Sequence, residues 1–273
     1  MKEIGYHPLA WRVLALSGPD RKPFLHGLVT SDVKGIKPGK DLPSCLLTPK
    51  GKLQAHFWAY EDKERLLLVC PDETAGALSA ALGKMIMLSE SKLADITEKW
   101  RVVFTSGRTA DGGFPCAALG GYLVLLEPSA KVSGREWTAQ EFERRRIEKG
   151  VPRFGVDMDG DTIPLEARLD SSISFNKGCY MGQETISRIH HLGHVNKLLV
   201  GLRFDSEPPE APSPVKKDGQ TIGTLTSATR LGEGGLGLAT VKREDSMPGV
   251  VVDCGGRPAT VVDLWTPPEP GAA

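Results

Sequence analysis

One segment of eight residues carries the strongest chemical signal in the chain. Lys177 to Glu184 has the sequence KGCYMGQE, which places a cysteine between two glycines and two residues after a lysine. Helical spacing follows from Gln183 to about Ile189, with Gly193 as the stop. Cys179 therefore lies just ahead of a predicted helix N-terminus, where the helix dipole and the charge of Lys177 would both favour the thiolate. The two glycines would let the backbone approach a ligand closely.

The other four cysteines are widely spaced and form no CxxC pair: Cys45, Cys70, Cys116 and Cys254. This spacing fits neither a disulfide framework nor a four-cysteine cluster site, and it favours a reducing compartment. Free cysteines are among the most buried residues, so we expect these four to be structural. An inert, buried thiol is also the alternative to a reactive Cys179.

The elements that must position this segment mix strands and helices without a strict βαβ rhythm, which predicts an α+β fold rather than a doubly wound sheet. The predicted strands are Trp11–Leu16, Leu53–Tyr60, Arg65–Cys70, Arg101–Thr105 and Tyr122–Leu126. The first predicted helix runs from Asp72 to about Leu88, and its buried stripe consists of Leu78, Leu82, Met85 and Ile86. The second predicted helix begins at a capping box formed by Thr138 and Glu141 and ends at Gly150.

The composition changes near Phe204. The following segment DSEPPEAPSPVKKDG is rich in proline, and we interpret it as a linker or an irregular entry to a barrel. Beyond it, QTIGTLTSATR, GLGLATV and PATVVDLW are alternating runs separated by glycine-rich turns, which is typical of a small antiparallel barrel. We therefore expect an α+β region over residues 1–200, a barrel over 201–266 and a disordered tail over 267–273.

Composition limits the classes of partner. The chain has 273 residues, of which 40% are apolar and 25% charged, and its 34 basic residues balance 34 acidic ones. A zero net charge gives no overall attraction to nucleic acid or to an anionic membrane. No apolar run approaches the roughly 18 residues of a spanning helix, and the start has no signal-peptide pattern. We expect a cytoplasmic monomer that contacts neither nucleic acid nor membrane directly.

The segment KGCYMGQE resembles the motif of the YgfZ family, which is Lys-Gly-Cys, an aromatic or apolar residue, any residue, a small residue and Gln-Glu. Every position matches. FLHGLVTSDVKGIKPGK and LLTPKGKLQAHFWAY resemble the N-terminal block of that family. RRIEKGVPRFGVDMDGDTIPLE resembles the middle block of the glycine-cleavage T-protein superfamily, and GQTIGTLTSA resembles its C-terminal barrel. The resemblance spans nearly the whole chain and is weakest between residues 105 and 135.

The resemblance implies three subdomains in a ring around a central cavity that holds tetrahydrofolate or a derivative. It also implies a role in making or repairing iron–sulfur enzymes, including one that modifies tRNA, with iron–sulfur client or assembly proteins as partners. Glu166, in the sequence Pro-Leu-Glu, matches the superfamily carboxylate that binds the pterin. A carboxylate can accept paired hydrogen bonds from the pterin amino and ring NH groups. Without the resemblance, we would expect Glu166 to be a solvated surface charge.

By the same resemblance, Cys179 is the catalytic residue, which reacts or ligates transiently, and no resident metal site is implied. The residues assigned to folate binding are Glu166, Lys177, Gly178, Tyr180, Gly182, Gln183, Glu184 and Arg188. One arginine of the basic run Arg144–Arg146, which is otherwise expected to form a solvated helix face, could meet the glutamate tail of a folate.

Two further patterns could indicate binding sites, and we reject both. His190 and His194 have the spacing of helical metal ligands, but Gly193 ends the helix before His194. Residues 232–237 fit the dinucleotide pattern GxGxxG. Because strand-like alternation follows them rather than a helix, we predict a hairpin turn there.

One departure from the transferase pattern affects the predicted activity. Aminomethyltransferases of the superfamily carry an acidic pair where this chain has Ala55 and His56. An alanine can neither orient nor deprotonate an amine, so we do not expect the T-protein reaction. Three hypotheses remain open: a folate-dependent accessory protein for iron–sulfur enzymes, a folate-dependent aminomethyltransferase or other one-carbon transferase, and a non-catalytic interaction scaffold. The sequence does not decide whether the protein turns over as an enzyme.

Overall fold

The computed structural model describes residues 4–109 and 112–264, so the tail predicted over 267–273 lies outside the described residues. The strands are β1 (Gly5–Leu9), β2 (Trp11–Ser17), β3 (Leu42–Leu47), β4 (Leu53–Asp62), β5 (Arg65–Pro71), β6 (Lys92–Asp95), β7 (Arg101–Thr105), β8 (Phe114–Cys116), β9 (Gly121–Leu126), β10 (Arg135–Glu136), β11 (Lys197–Phe204), β12 (Ser213–Lys217), β13 (Gln220–Leu231), β14 (Gly234–Lys242), β15 (Val251–Cys254) and β16 (Arg257–Val262). The α-helices are α1 (Arg21–His26), α2 (Asp72–Ile86), α3 (Ala139–Glu148) and α4 (Gln183–Leu192). The α+β prediction is confirmed. Within the described ranges, no helix has the length and apolar composition of a membrane span.

The chain forms two compact units whose segments alternate along the sequence. Unit 1 contains the chain up to Trp137 together with Asp159–Pro164 and Leu169–Gly193, and unit 2 contains Thr138–Met158, Leu165–Arg168 and the chain from His194. The boundary expected after residue 200 falls inside β11, because the barrel begins before the proline-rich segment that marks the change in composition.

Unit 1 contains two five-stranded sheets, with the orders β3-β4-β5-β2-β6 and β10-β1-β7-β9-β8. Helices α1 and α2 pack on the first sheet, and the core between them includes Leu16, Phe57 and Leu78. Of the stripe predicted for α2, Leu78 and Leu82 are buried and Ile86 packs against this core. The prediction is wrong for Met85, which is 38% exposed. This unit also carries the segment 177–184.

Unit 2 is built on a closed antiparallel barrel with the order β11-β14-β13-β12-β15-β16, which confirms the predicted C-terminal barrel. Its interior is filled by alternating apolar residues, including Val200, Leu202, Leu225 and Val241. The GxGxxG segment contains the two-residue loop between β13 and β14, so the hairpin prediction is confirmed.

The proline-rich segment is more regular than we expected. Its end forms β12, which pairs with β13 on one side and with β15 on the other. The pairing with β15 covers only Val215 and Lys216. Pro214 therefore lies where the strand has a partner on one side, a place where the missing N–H of proline is tolerated.

Helix α3 begins at the predicted capping box. The Thr138 hydroxyl accepts from the Glu141 N–H at 3.2 Å, and the Glu141 carboxylate accepts from the Thr138 N–H at 2.9 Å. The expectation that its arginines form a solvated face is correct for Arg144, which is exposed, and wrong for Arg146, which is only 4% exposed.

All five N–H groups of the Arg146 guanidinium donate hydrogen bonds within unit 2. Two go to the carboxylate of Glu143, at 2.5 and 3.0 Å. The others go to the Asp157 carboxylate, the Val151 carbonyl and the Ser227 hydroxyl, each at 2.6 Å. The Asp157 side chain is fully buried. Arg146 therefore ties α3 to the barrel strand β13 and is not placed to meet a ligand.

Candidate functional site

The thiol loop, residues 173–182, connects a single 3-10 turn at Asp170–Ser172 to helix α4. Of the five cysteines, all of which lie in the described residues, Cys179 alone is exposed. Helix α4 begins at Gln183, as predicted, and runs to Leu192. The loop therefore presents one accessible thiol three residues before the N-cap of a helix.

The remaining cysteines are structural, as the sequence predicts. Burial raises the pKa of the Cys45, Cys70 and Cys116 thiols to about 12 and that of Cys254 to about 11. A thiol with such a pKa is almost entirely protonated near neutral pH, and the thiolate is the nucleophile and metal ligand. Thiol chemistry in this chain therefore points to Cys179.

The start of α4 fits closely against the turn between β3 and β4. Gly182 has φ 81°, and a Cβ there would lie 2.6 Å from the carbonyl oxygen of Thr48. Gly51 has φ 77°, and a Cβ there would lie 2.9 Å from the Cβ of Thr185. Both positions therefore require glycine, because a side chain would enter the opposing backbone or helix. Gly182 therefore lies against the backbone of Thr48, which is part of the protein itself.

Gly178 differs from Gly182. Its φ is not in the left-handed region, and a Cβ there would meet no atom within 4 Å. The conformational freedom that the sequence suggested is therefore not needed at Gly178. Gly178 is exposed, as is the neighbouring Cys179.

The side chain of Lys177 makes its hydrogen bonds within the protein. Its ammonium donates to the carbonyl oxygens of His26, Val29 and Ser31 at 2.5, 2.6 and 3.0 Å. An ammonium has three donors, so none is left for a folate. Burial lowers the pKa of Lys177 to about 8; Asp32 opposes this shift and Lys34 adds to it. Lys177 remains charged at pH 7 and anchors the thiol loop.

Tyr180 and Gln183 support the loop locally. Tyr180 is 7% exposed, and burial raises the pKa of its phenol to about 12. Its N–H donates to Oε1 of Gln183 at 3.2 Å, and the Gln183 N–H donates back to the Tyr180 carbonyl at the same distance. Glu184 and Arg188 are exposed on α4. Of the predicted ligand-binding residues in this segment, these two are therefore the side chains that face solvent.

Glu166 lies in unit 2. The expectation from its local sequence, a solvated surface charge, is wrong. The residue is 8% exposed, and its carboxylate lies 3.9 Å from the ammonium of Lys197. Its backbone carbonyl accepts from the Leu199 N–H at 2.8 Å, which ties it to β11. Carboxylates are rarely this buried unless they are paired or bind a ligand. The ammonium of Lys197 supplies a partner of opposite charge to the buried Glu166 carboxylate.

Ala55 and His56 are buried residues of strand β4. Ala55 is fully buried and His56 is 5% exposed. Burial lowers the pKa of His56 to about 4, so the imidazole is neutral at pH 7. Its Nε2 lies 3.1 Å from the Ser172 hydroxyl. His56 is therefore a structural residue, as expected for a lone histidine on a strand.

Sequence reasoning missed two residues that hold the thiol loop in place. The Thr30 hydroxyl donates to the Ser172 carbonyl at 2.6 Å and accepts from the Cys45 N–H at 2.9 Å. The Thr30 carbonyl accepts from the Ser174 N–H at 2.9 Å. Thr30 and Ser172 are 142 residues apart, so no local pattern could have indicated this pair.

The histidines of α4 do not assemble a metal site. His190 stacks on Phe175 with 3.7 Å between ring centroids. Among the residues that the structure describes, no group of three His, Cys, Asp or Glu side chains could hold a metal ion.

Comparisons with known proteins extend over most of the chain. Residues 197–268 match the family described as CAF17, C-terminal beta-barrel domain. A chloroplastic protein of Arabidopsis thaliana named as a putative transferase is 27% identical over 89% of this chain. The match covers 66% of that relative, slightly less than two thirds of its length. The mitochondrial iron–sulfur cluster assembly factor IBA57 of Homo sapiens is 28% identical over 85% of this chain and 75% of its own length.

A solved structure shows the same fold. The glycine cleavage system aminomethyltransferase T from Bartonella henselae aligns with a TM-score of 0.82 and covers 96% of this chain and 85% of its own. Because the sequence identity is only 19%, this likeness establishes a T-protein-like fold. An activity has to be argued from the residues of the site.

Proposed function

We propose that this chain is a YgfZ-like protein of the glycine-cleavage T-protein superfamily and an accessory protein for the synthesis or repair of iron–sulfur enzymes. The matches to the CAF17 barrel family and to IBA57, and the T-protein-like fold, support this. Cys179 is the group that reacts or ligates transiently. The observation that carries this proposal is the single exposed thiol, held in a loop that is anchored on both sides. The relative from Homo sapiens named as an iron–sulfur cluster assembly factor supports the same role.

The test is complementation of a bacterial strain that lacks its own family member. The activities of several iron–sulfur enzymes, including a tRNA-modifying one, are measured in that strain with and without this chain. Restored activity at normal client protein levels supports the proposal. A strain in which the chain is folded and expressed, yet restores no client, would contradict it.

We further propose that the protein binds tetrahydrofolate or a derivative, with Glu166 as the pterin-binding carboxylate. Its burial supports this role, because a carboxylate out of water gains more from hydrogen bonds to ring NH groups than a solvated one. Lys177 and Gly182 are left out of the proposed folate site, since their contacts are with protein.

Glu166→Ala is expected to weaken tetrahydrofolate binding. Losing charge-assisted hydrogen bonds should cost roughly 1.5–3 kcal/mol, or about ten- to a hundredfold in affinity. Isothermal titration calorimetry measures this, with Glu148→Ala on the outer part of α3 as the matched control. Unchanged affinity in a folded Glu166→Ala variant would remove this residue from the site. If the wild type binds no folate at all, the chain is a scaffold without that cofactor.

A folate-dependent one-carbon transferase is the second candidate, because one relative is named as a putative transferase. The site argues against the aminomethyltransferase reaction, since Ala55 has no carboxylate and His56 is buried and hydrogen-bonded to Ser172. We expect no folate-dependent ammonia release from an aminomethylated carrier protein. A T-protein serves as the positive control in the same assay. Robust release by this chain would instead favour the transferase.

A further inference from the structure

The thiol loop is fixed at several places within unit 1. Near its start, the Ser174 N–H donates to the Thr30 carbonyl at 2.9 Å. At its end, Gly182 lies against the backbone of Thr48, so close that a Cβ would be 2.6 Å from the carbonyl oxygen. Between these points, the Phe175 ring stacks on His190, and the Lys177 ammonium donates three hydrogen bonds to backbone carbonyls. Cys179 and its open neighbour Gly178 lie just beyond it.

The acceptors of Lys177 all belong to one short stretch, residues 26–31, which we call the carbonyl loop. Three carbonyl oxygens of this loop converge on the ammonium, which also lies 5.1 Å from the centre of the Tyr180 ring. The acceptors lie 146 to 151 residues away from Lys177 in sequence. Without the ammonium, the carbonyls of His26, Val29 and Ser31 would lose this donor at once, although the Ser31 carbonyl would keep the Val33 N–H at 3.1 Å.

Two roles for Lys177 can be separated physically. A cation that activates the thiol acts through space, and any nearby positive charge would contribute to that effect. Lys34 offers a comparison, because its charge acts on Lys177 and the residue is itself exposed. A residue that positions the loop acts through its hydrogen bonds, which Lys34 does not share.

We propose that Lys177 is a positioning residue for Cys179: it fixes the thiol loop to the carbonyl loop and so holds the thiol where a client or assembly protein meets it. This inference rests on the proposed role of Cys179. Lys177 neither binds folate nor serves mainly as the cation that activates the thiol.

The first measurement uses the full chain and its natural cysteines, since only Cys179 is accessible. A nitroxide label on Cys179 reports loop motion, and the pH dependence of iodoacetamide labelling reports thiol activation. Lys177→Met should make the nitroxide more mobile and leave the pH of half-maximal labelling nearly unchanged. An activating cation would instead raise that pH by about one unit or more on removal, which would overturn the proposal. Lys34→Met is the matched control and should change neither signal.

The second measurement is client activation in the complementing strain, at equal levels of soluble protein. Misplacing a reacting group by about 1 Å can cost a hundredfold in rate, so Lys177→Met should reduce client activity roughly ten- to a hundredfold. Lys177→Arg keeps a multiple donor and should recover part of that loss. Full activity of a folded Lys177→Met variant would overturn the proposal. If Lys177→Met does not fold, Lys177→Gln, which keeps one donor group, takes its place in both measurements.

These outcomes are separate from those of the proposed function. If Cys179→Ser complements fully, the role of the thiol fails whatever Lys177 does. The mobility of the label on Cys179 still tests whether Lys177 holds the loop.

Discussion

Cys179→Ser is expected to abolish complementation while leaving the fold intact. The side chain is exposed and fills no core, so the loss of sulfur should barely change the free energy of unfolding. The hydroxyl nearly preserves the volume, but an alcohol has a far higher pKa than a thiol and cannot replace a thiolate as nucleophile or metal ligand. Iron–sulfur enzyme activity in the complemented strain measures the loss, and circular dichroism of the purified variant checks the fold.

Cys254→Ala is the matched control, because it removes a buried thiol in the barrel and should keep complementation. In the wild type, mass spectrometry after a short iodoacetamide pulse should find Cys179 alkylated first. Two results together would contradict the prediction: equal labelling of Cys179 and Cys45, and full complementation by the serine variant. The protein would then be a scaffold without thiol chemistry.

Arg146→Met is expected to destabilise unit 2 by about 3–5 kcal/mol, the usual cost of removing one partner from a buried ion pair. The change would leave the fully buried Asp157 carboxylate without its cation and would remove the Arg146 donor from the Val151 carbonyl and the Ser227 hydroxyl. The Ser227 hydroxyl would keep its own hydrogen bond to Asp157 at 2.7 Å. Equilibrium unfolding in urea, followed by a probe in the barrel, measures the shift in midpoint.

Arg144→Met is the control for this prediction. Arg144 lies two residues earlier on α3, is exposed and pairs with Glu148 at 2.8 Å. An exposed i, i+4 pair contributes only about 0.3–0.5 kcal/mol, so this variant should unfold almost like the wild type. Equal midpoints for the two variants would show that the buried network of Arg146 adds nothing to stability.

Local patterns predicted much of the fold. The capping box at Thr138, the start of α4 at Gln183 and the alternating runs of the barrel depend on neighbouring residues, and each is present in the structure. The exposed Cys179 could likewise be predicted from the glycines and the helix start around it. Within a short window, hydrophobic period and capping chemistry carry the necessary information.

The roles of charged side chains could not be predicted in this way. We expected Lys177 to favour the thiolate or to bind a ligand, and Arg146 to face solvent. From its local sequence alone, without the family resemblance, Glu166 was also expected to face solvent. The acceptors of Lys177 are at least 146 residues away in sequence. Arg146 bonds to Glu143, Val151 and Asp157 within 11 residues, but Ser227 of β13 lies 81 residues away. A lysine or arginine in sequence does not reveal which carbonyls or carboxylates will converge on it.

The alternation of the two units along the chain has a consequence during protein synthesis. Leu53 donates its N–H to the Thr162 carbonyl, and Thr30 accepts from Ser174, so the first sheet needs segments that are translated much later. A nascent chain that ends at Trp137 has all strands of both unit 1 sheets but neither of these late segments. Domains usually fold as they leave the ribosome, N-terminal first, but here the N-terminal unit must wait until α4 has emerged.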